Sequence, residues 1–165
     1  MDFVSDQLVD GARIRVLTIV AVFAREALAP EVGFQLRGKD VIRVCNRLVA
    51  HRGAPVRILA DNGSEFSGNL FDLWAYHHKV QIDFSRSGKR TDNRFIETFN
   101  GSMRDEHLNV NWFEPIDEAK LKLESWRVDY NESRPRQRLN EMTPVEYATK
   151  TALAMINQSS INARN

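Results

Sequence analysis

The sequence predicts an α/β sandwich built on a mixed five-stranded sheet flanked by helices. Three observations carry that expectation. The N-terminal part is β-branched and apolar in short runs. The middle alternates strand-like and helical periods. From about residue 91 onward only helical periods follow. Strands first, then alternation, then helices, is the order of a sheet covered on its faces by helices.

Taken in order, residues 1–7 (MDFVSDQ) read as a first strand and 15–23 (RVLTIVAVF) as a second, apolar enough to be buried on both faces. Residues 27–32 (ALAPEV) pair beside it, although Pro30 removes one donor and suits an edge. The period then switches. Val41, Val44, Cys45, Leu48 and Val49 recur at helical spacing over 38–52, and Gly53 is a stop signal. Residues 56–60 (VRILA) form a short strand that the turn-forming DNG at 61–63 ends. Phe66, Leu70, Leu73 and Trp74 predict an amphipathic helix, 80–84 (VQIDF) a strand, and 85–91 (SRSGKRT) a polar basic loop. A helix is expected from Thr91 or Asp92 to about Leu108, with further helices over 117–130 and 143–156. The domain expectation is one core over 1–150, with 151–165 as a helix end and tail.

Bulk properties narrow the class. The chain has 165 residues, 42% hydrophobic content and a formal net charge of +1. A near-neutral balance leaves room for a local basic patch to act on a polyanion. A lone cysteine, Cys45, forms no internal disulfide and fits a reducing interior. No apolar run approaches the ~20 residues of a membrane span. Asp2, Asp6, Asp10 and Arg13 break up any signal-peptide pattern. A cytoplasmic protein is the expectation. The four histidines, His51, His77, His78 and His107, have no metal-ligand spacing and read as surface or helix-end residues.

Three acids stand in telling places. Asp2 opens the first strand, Asp61 ends the VRILA strand, and Glu97 sits on the helix after the basic loop. Taken singly each has an ordinary explanation: most acids are solvated, and an Asp in a DNG turn satisfies its own backbone. Taken together, converging carboxylates repel one another unless a cation offsets the charge. Hard oxygen donors select Mg²⁺ or Mn²⁺, and two such ions suit phosphoryl transfer.

The helix around Glu97 has two faces. Ile96, Phe99 and Met103 share one, with Phe95 at its edge. Glu97 and Arg104 are nearly aligned on the other, flanked by Asn93, Asn100 and Gly101. A solvated face explains these as well as a DNA-facing one does. Arg86, Lys89, Arg90 and Arg94 gather just before and at the start of this helix, where phosphate contacts would position a nucleic acid without reading its sequence. Arg127, Arg134, Arg136 and Arg138 form a second basic group, suited to DNA or to a sister subunit.

Five segments carry a family resemblance: MDFVSD (1–6), RVLTIVAVFARE (15–26), DNGSEF (61–66), TDNRFIETFNGSMRDE (91–106) and YNESRPRQRLNEMTPVEY (130–147). In this order and spacing they resemble the integrase core of bacterial insertion-sequence transposases of the OrfB type, within the retroviral-integrase DDE superfamily. The resemblance implies a ribonuclease-H-like fold and a catalytic, metal-binding triad falling on Asp2, Asp61 and Glu97. It implies DNA contacts from Lys89, Arg90, Asn93, Arg94, Asn100 and Arg104. It further implies two Mg²⁺ or Mn²⁺ ions in the active complex, transposon-end and target DNA as partners, and a homo-oligomer assembled on DNA at the nucleoid.

Departures are visible too. Family members carry an upstream region, often a helix-turn-helix, so this chain is expected to be an N-terminally truncated core. Arg136 stands where a histidine follows SRP in relatives, and Ala21, Ala24 and Ala60 stand where more polar residues are usual. Three functions are therefore weighed: a DNA strand-cleaving and strand-joining enzyme, a catalytically inactive DNA-binding remnant, and a stand-alone metal-dependent nuclease on the same fold.

Overall fold

A computed structural model of the chain describes residues 1–85 and 94–162, with side chains through Met155. Three strands, β1 (Asp2–Gln7), β2 (Arg13–Ala21) and β3 (Glu26–Gly33), form an antiparallel meander in that order. Helix α1 (Gly38–Arg52) leads to β4 (Arg57–Ala60). Helix α2 (Asn69–His78) leads to β5 (Gln81–Phe84), which pairs parallel to β4. Helices α3 (Arg94–Met103), α4 (Ile116–Glu132) and α5 (Pro144–Asn162) complete the chain.

The expected five strands are present, but as two ladders of three and two. The main-chain nitrogen of Met1 donates to Leu59 O at 2.6 Å and joins the β1 edge to β4. With β4 only four residues long, few amides face that seam. Pro30 sits opposite Thr18 in β3, an edge strand, where its missing N–H leaves no ladder donor unmade.

Side chains alternate across the meander and feed two cores. Val4, Ile14, Val16 and Val32 meet Ile96, Phe99 and Met103 of α3 and Leu123 and Trp126 of α4 on one face. Leu17 and Ala29 meet Val41, Val44 and Cys45 of α1 and Phe71 and Trp74 of α2 on the other. Each large apolar side chain so buried contributes ~1.5–3 kcal/mol. The cores hold α3 against the face of β1 that carries Val4, and hence also Asp2, two residues earlier.

Asn131 ties α4 to the edge strand. Its amide accepts from Ala27 N and donates to Ala27 O, both at 2.8 Å, so one side chain satisfies both backbone groups of a β3 residue. This assigns a structural job to the asparagine of YNESRP. Beyond Met103 the chain continues as a π-helical turn, Arg104–Leu108, closed by Asn109 N donating to Arg104 O at 2.8 Å. The wider turn lets the adjacent His107 and Leu108 both face inward.

Three expectations need correction. Phe66 precedes α2 and is buried in the turn before it, while Leu70 and Leu73 are exposed. The apolar stripe of the helix is Phe71, Trp74 and Ala75, because the helix begins only at Asn69. His107 is buried rather than a surface residue, packed between Phe113 and Trp126. Helix α5 runs on to Asn162, past the end expected near residue 156, since nothing in TKTALAMINQ breaks a helix. Cys45 is buried, as its place on the apolar face of α1 predicts. Among the described residues no helix is long and apolar enough to cross a membrane.

Candidate active site

The site is built where β1 starts, β4 ends and α3 crosses the sheet. Asp2 lies at the first position of β1, opposite Thr18 of β2. Its Oδ1 accepts from Phe3 N at 2.7 Å, and its Oδ2 accepts from Asn100 Nδ2 at 2.8 Å. The other end of the Asn100 amide accepts the Thr18 hydroxyl at 2.9 Å, and that hydroxyl lies 3.2 Å from Asp2 O. Asn100 thus spans two strands, and its orientation is fixed because the Asp2 carboxylate can only accept, which turns the amide oxygen toward the Thr18 hydroxyl. Thr18 is the polar residue in the apolar run 16–21 of β2, and it is 1% exposed. That pattern was its signal in the sequence, because a buried hydroxyl needs a partner.

Asp61 stands one residue past β4, where the strand leaves the sheet. Its Oδ1 accepts from Asn62 N at 2.8 Å and lies 3.2 Å from Ser85 Oγ. Asn62 Nδ2 donates to Ser85 O at 2.7 Å, and Ser85 N donates to Ala60 O at 3.0 Å. The ends of β4 and β5 are therefore laced together around the carboxylate. Sequence reading treated Asn62 and Ser85 as turn and loop residues and missed this role. The second acid of DNGSEF serves elsewhere: Glu65 is ion-paired with Arg15.

Asp2 senses the Asp61 charge. Burial pushes the Asp2 carboxyl above its ordinary value, and the Asp61 charge pushes it the same way. The Phe3 N–H and the Asn100 amide oppose both. Such a pair resists carrying two negative charges unless a positive charge is added.

Glu97 is exposed on α3. Asn100 and Arg104, three and seven residues further along, both reach β1: Asn100 through Asp2, and Arg104 through a 3.0 Å hydrogen bond from Nη2 to Ser5 O. The stripe of α3 that carries Glu97 therefore runs along β1. Among the described residues no three His, Cys, Asp or Glu side chains are gathered into a group that could hold a metal ion. The structure brings Asp2 and Asp61 together and sets Glu97 one helical turn from the residue that clamps Asp2.

The remaining expected contacts divide. Lys89, Arg90 and Asn93 lie outside the described residues, as does most of the 85–91 loop. Arg94 is exposed at the start of α3. The Asn100 side chain is committed to Asp2 and Thr18, and Arg104 has one amino group tied to β1. A side chain added at Gly101 would meet nothing within 4 Å, so this part of α3 faces open space. In the second basic group, Arg127 is paired with Glu124, and Arg134 with Glu106 and Asp129.

Comparison with known proteins follows the same outline. Two integrase core domain families match, one over residues 1–90 and one over residues 78–144. A 31.7 kDa protein of insertion element IS407 from Burkholderia multivorans is 41% identical over 91% of this chain and 54% of its own length. A 39.2 kDa protein of insertion element IS476 from Xanthomonas euvesicatoria is 36% identical over 90% of this chain and 43% of its own length. The chain spans about half the length of these relatives. Among solved structures, the catalytic core domain of BIV integrase superposes with a TM-score of 0.68 at 13% identity, covering 94% of this chain and 96% of that one. The HTLV-2 integrase catalytic core in complex with magnesium gives 0.66 at 13% identity, over 88% and 94%. A chain of the simian T-cell lymphotropic virus intasome gives 0.75 at 16% identity, over 88% and 51%. The fold is that of the retroviral integrase catalytic cores, which is ribonuclease-H-like, and the chain belongs to the integrase core domain family.

Proposed function

We propose that this chain is the catalytic core of a DDE transposase that cuts and joins DNA strands, with Asp2, Asp61 and Glu97 as its acids. The observation that carries the reading is the placement of Asp2 and Asp61 at the start of β1 and just past the end of β4, with Asp2 held by Asn100 from the same helix as Glu97. The chemistry of the aspartate pair fits a divalent cation, and Glu97, which is not gathered with the pair into one group, would have to join it. Their donors are hard carboxylate oxygens, and the charge that Asp2 resists carrying is the kind a cation offsets. Asp2, Asp61 and Glu97 would hold Mg²⁺ or Mn²⁺, two ions in the active complex. Bound there, the ions supply Lewis-acid stabilisation of the phosphorane-like charge and a more acidic nucleophile.

The protein's own part is to hold geometry. Asn100 fixes one rotamer of Asp2, and Asn62 with Ser85 fixes Asp61. Arg94, with Lys89, Arg90, Asn93 and Arg104, would neutralise and position backbone phosphates. In the first reaction, water attacks a phosphodiester at the transposon end. The P–O3′ bond breaks, and a 3′-hydroxyl and a 5′-phosphate result. In the second, that 3′-hydroxyl attacks a target phosphodiester. One ester bond forms as one breaks, and a target 3′-hydroxyl leaves. Transposon-end and target DNA are the partners, and a homo-oligomer on nucleoid DNA in the bacterial cytoplasm is the working form.

The test is a Mg²⁺-dependent assay on a labelled duplex carrying the element's terminal sequence. Cleavage followed by strand transfer supports the reading. Cleavage without joining would make this a nuclease, and binding without cleavage would make it a DNA-binding remnant.

A further inference from the structure

Beside the carboxylates lies a second site. A cleft of about 760 Å³ opens between the β2–β3 turn, the start of α3 and the segment after α4, and Arg25, Arg94, Arg136 and Arg138 all line it. Met1 and Leu59, close neighbours of Asp2 and Asp61 in the chain, line it as well, although neither carboxylate does.

These arginines are unlike most others in the molecule. Arg15, Arg43, Arg47, Arg52, Arg57, Arg127 and Arg134 each face a carboxylate within ion-pair distance. Among the described residues, the four in the cleft have no such partner. Two are propped by aromatic rings instead: the Arg25 guanidinium lies 3.9 Å from the Phe95 ring centre, and that of Arg136 lies 4.3 Å from the Tyr130 ring centre. Ring contacts steady the guanidinium without using its N–H donors. The Arg136 Nε is buried and has no hydrogen-bond acceptor. Arg25 adopts a left-handed backbone, with φ of 57°, to enter the cleft. Partial burial and the nearby Arg138 charge both disfavour its protonated form.

Four cations gathered without counter-charge, with one donor buried and unsatisfied, are electrostatically incomplete. The missing element is an anion with several acceptor oxygens. We infer that this cleft binds the DNA phosphodiester backbone, seating a strand that runs past the carboxylate pair, and that Arg25, Arg94, Arg136 and Arg138 are its phosphate contacts. The inference rests on the DNA-acting reading above and adds to it the track along which the strand lies.

The test is the salt dependence of duplex DNA binding, followed by fluorescence anisotropy in EDTA so that no cation bridges to the acids. The paired variant Arg94→Gln/Arg138→Gln removes two exposed charges and touches no core. Each lost phosphate contact lowers the salt slope by about one unit, so the pair should lower it by about two and weaken binding alike on all sequences. Arg94→Lys/Arg138→Lys keeps both charges and should retain most of the slope. Arg43→Gln, an ion-paired arginine elsewhere, should leave the slope unchanged. An unchanged slope in the Gln pair, or an equal loss in Arg43→Gln, would overturn the inference while leaving Mg²⁺-dependent cleavage, and thus the catalytic reading, standing. A lowered slope in a protein that never cleaves would support the cleft and remove the catalytic reading. Failure of the wild-type chain to bind duplex DNA would overturn both.

Discussion

Asn100 Nδ2 donates to Asp2 Oδ2 at 2.8 Å, joining a helix residue to a strand residue 98 positions away in sequence. The same amide accepts the Thr18 hydroxyl at 2.9 Å. A first-strand carboxylate is thereby given one orientation by the helix that also carries Glu97.

Removing this clamp should separate positioning from folding. Asn100→Ala leaves Asp2 Oδ2 without its donor and the buried Thr18 hydroxyl with only its longer 3.2 Å bond to Asp2 O, at a cost of about 1–3 kcal/mol. Urea melts would read that cost. If Asn100 only stabilises the fold, catalysis in the folded fraction is unaffected. If it positions Asp2, kcat falls and the Mg²⁺ concentration for half-maximal cleavage rises. Thr18→Val should give a smaller loss of the same kind.

The aspartate pair predicts a pH effect. Asp2 titrates above the ordinary carboxylate value, first because it is buried and also because Asp61 is near. A raised folded value means that ionising Asp2 costs the folded state more than the unfolded one. The associated stability is full below the unfolded value and is lost as pH rises through the folded value. Asp2→Asn should therefore stabilise the metal-free protein near pH 7, with the gain vanishing toward acid pH. Asp61→Asn should shift the Asp2 titration, followed by carboxyl-carbon NMR, to lower pH. No shift would mean that the two acids do not interact.

His107 predicts the opposite dependence. Burial, reinforced by the Lys122 charge, holds its imidazole below the ordinary 6.5. Its Nε2 is buried without a partner, while Asn111 Nδ2 donates to His107 O at 2.8 Å. With the folded value depressed, the unfolded chain binds a proton first as pH falls. Stability is complete above about pH 6.5 and declines as pH drops from there toward the folded value. His107→Phe should flatten this decline in melts run between pH 7.5 and pH 5, and an unchanged slope would exclude His107 as its source.

Asn131 is the structural counterpart of these polar contacts. Asn131→Ala strands the N–H of Ala27 and leaves its C=O with only the 3.3 Å bond from Arg127 Nη1. Two lost hydrogen bonds, one of them leaving a buried donor unsatisfied, predict a loss of about 2–4 kcal/mol. Chemical denaturation would measure it. A loss under about 0.5 kcal/mol, the level of an ordinary surface substitution, would mean that solvent replaces the side chain.

The sequence carried the elements well where period and burial agree. In α3, Ile96, Phe99 and Met103 point inward as their spacing predicts. In α2 it misled, because Leu70 and Leu73 suggested a stripe whose phase is set by a start at Asn69 that no capping residue announces. At the site, Asp2 and Asp61 were legible as a strand start and a strand end. The Asn100 clamp was not, because it depends on a contact between residues far apart in sequence. Arg104 read as a free cation for the same reason, since nothing local reveals Ser5 O beside it. The arginine cleft was half visible. Arg136 and Arg138 were seen as a group, but Arg25 joins them only once the β2–β3 turn packs against α3.

The central claim is that Asp2, Asp61 and Glu97 together drive metal-dependent DNA cleavage. The most direct measurement compares the wild-type chain with Glu97→Gln on one labelled terminal duplex, with Mg²⁺ and with EDTA. Glu97 is exposed, so the substitution should leave the melt within about 0.5 kcal/mol of wild type. The account predicts a 3′-hydroxyl product from wild type with Mg²⁺, none with EDTA, and none from Glu97→Gln although it still binds the duplex. Equal cleavage by Glu97→Gln, or cleavage by wild type in EDTA, would contradict it.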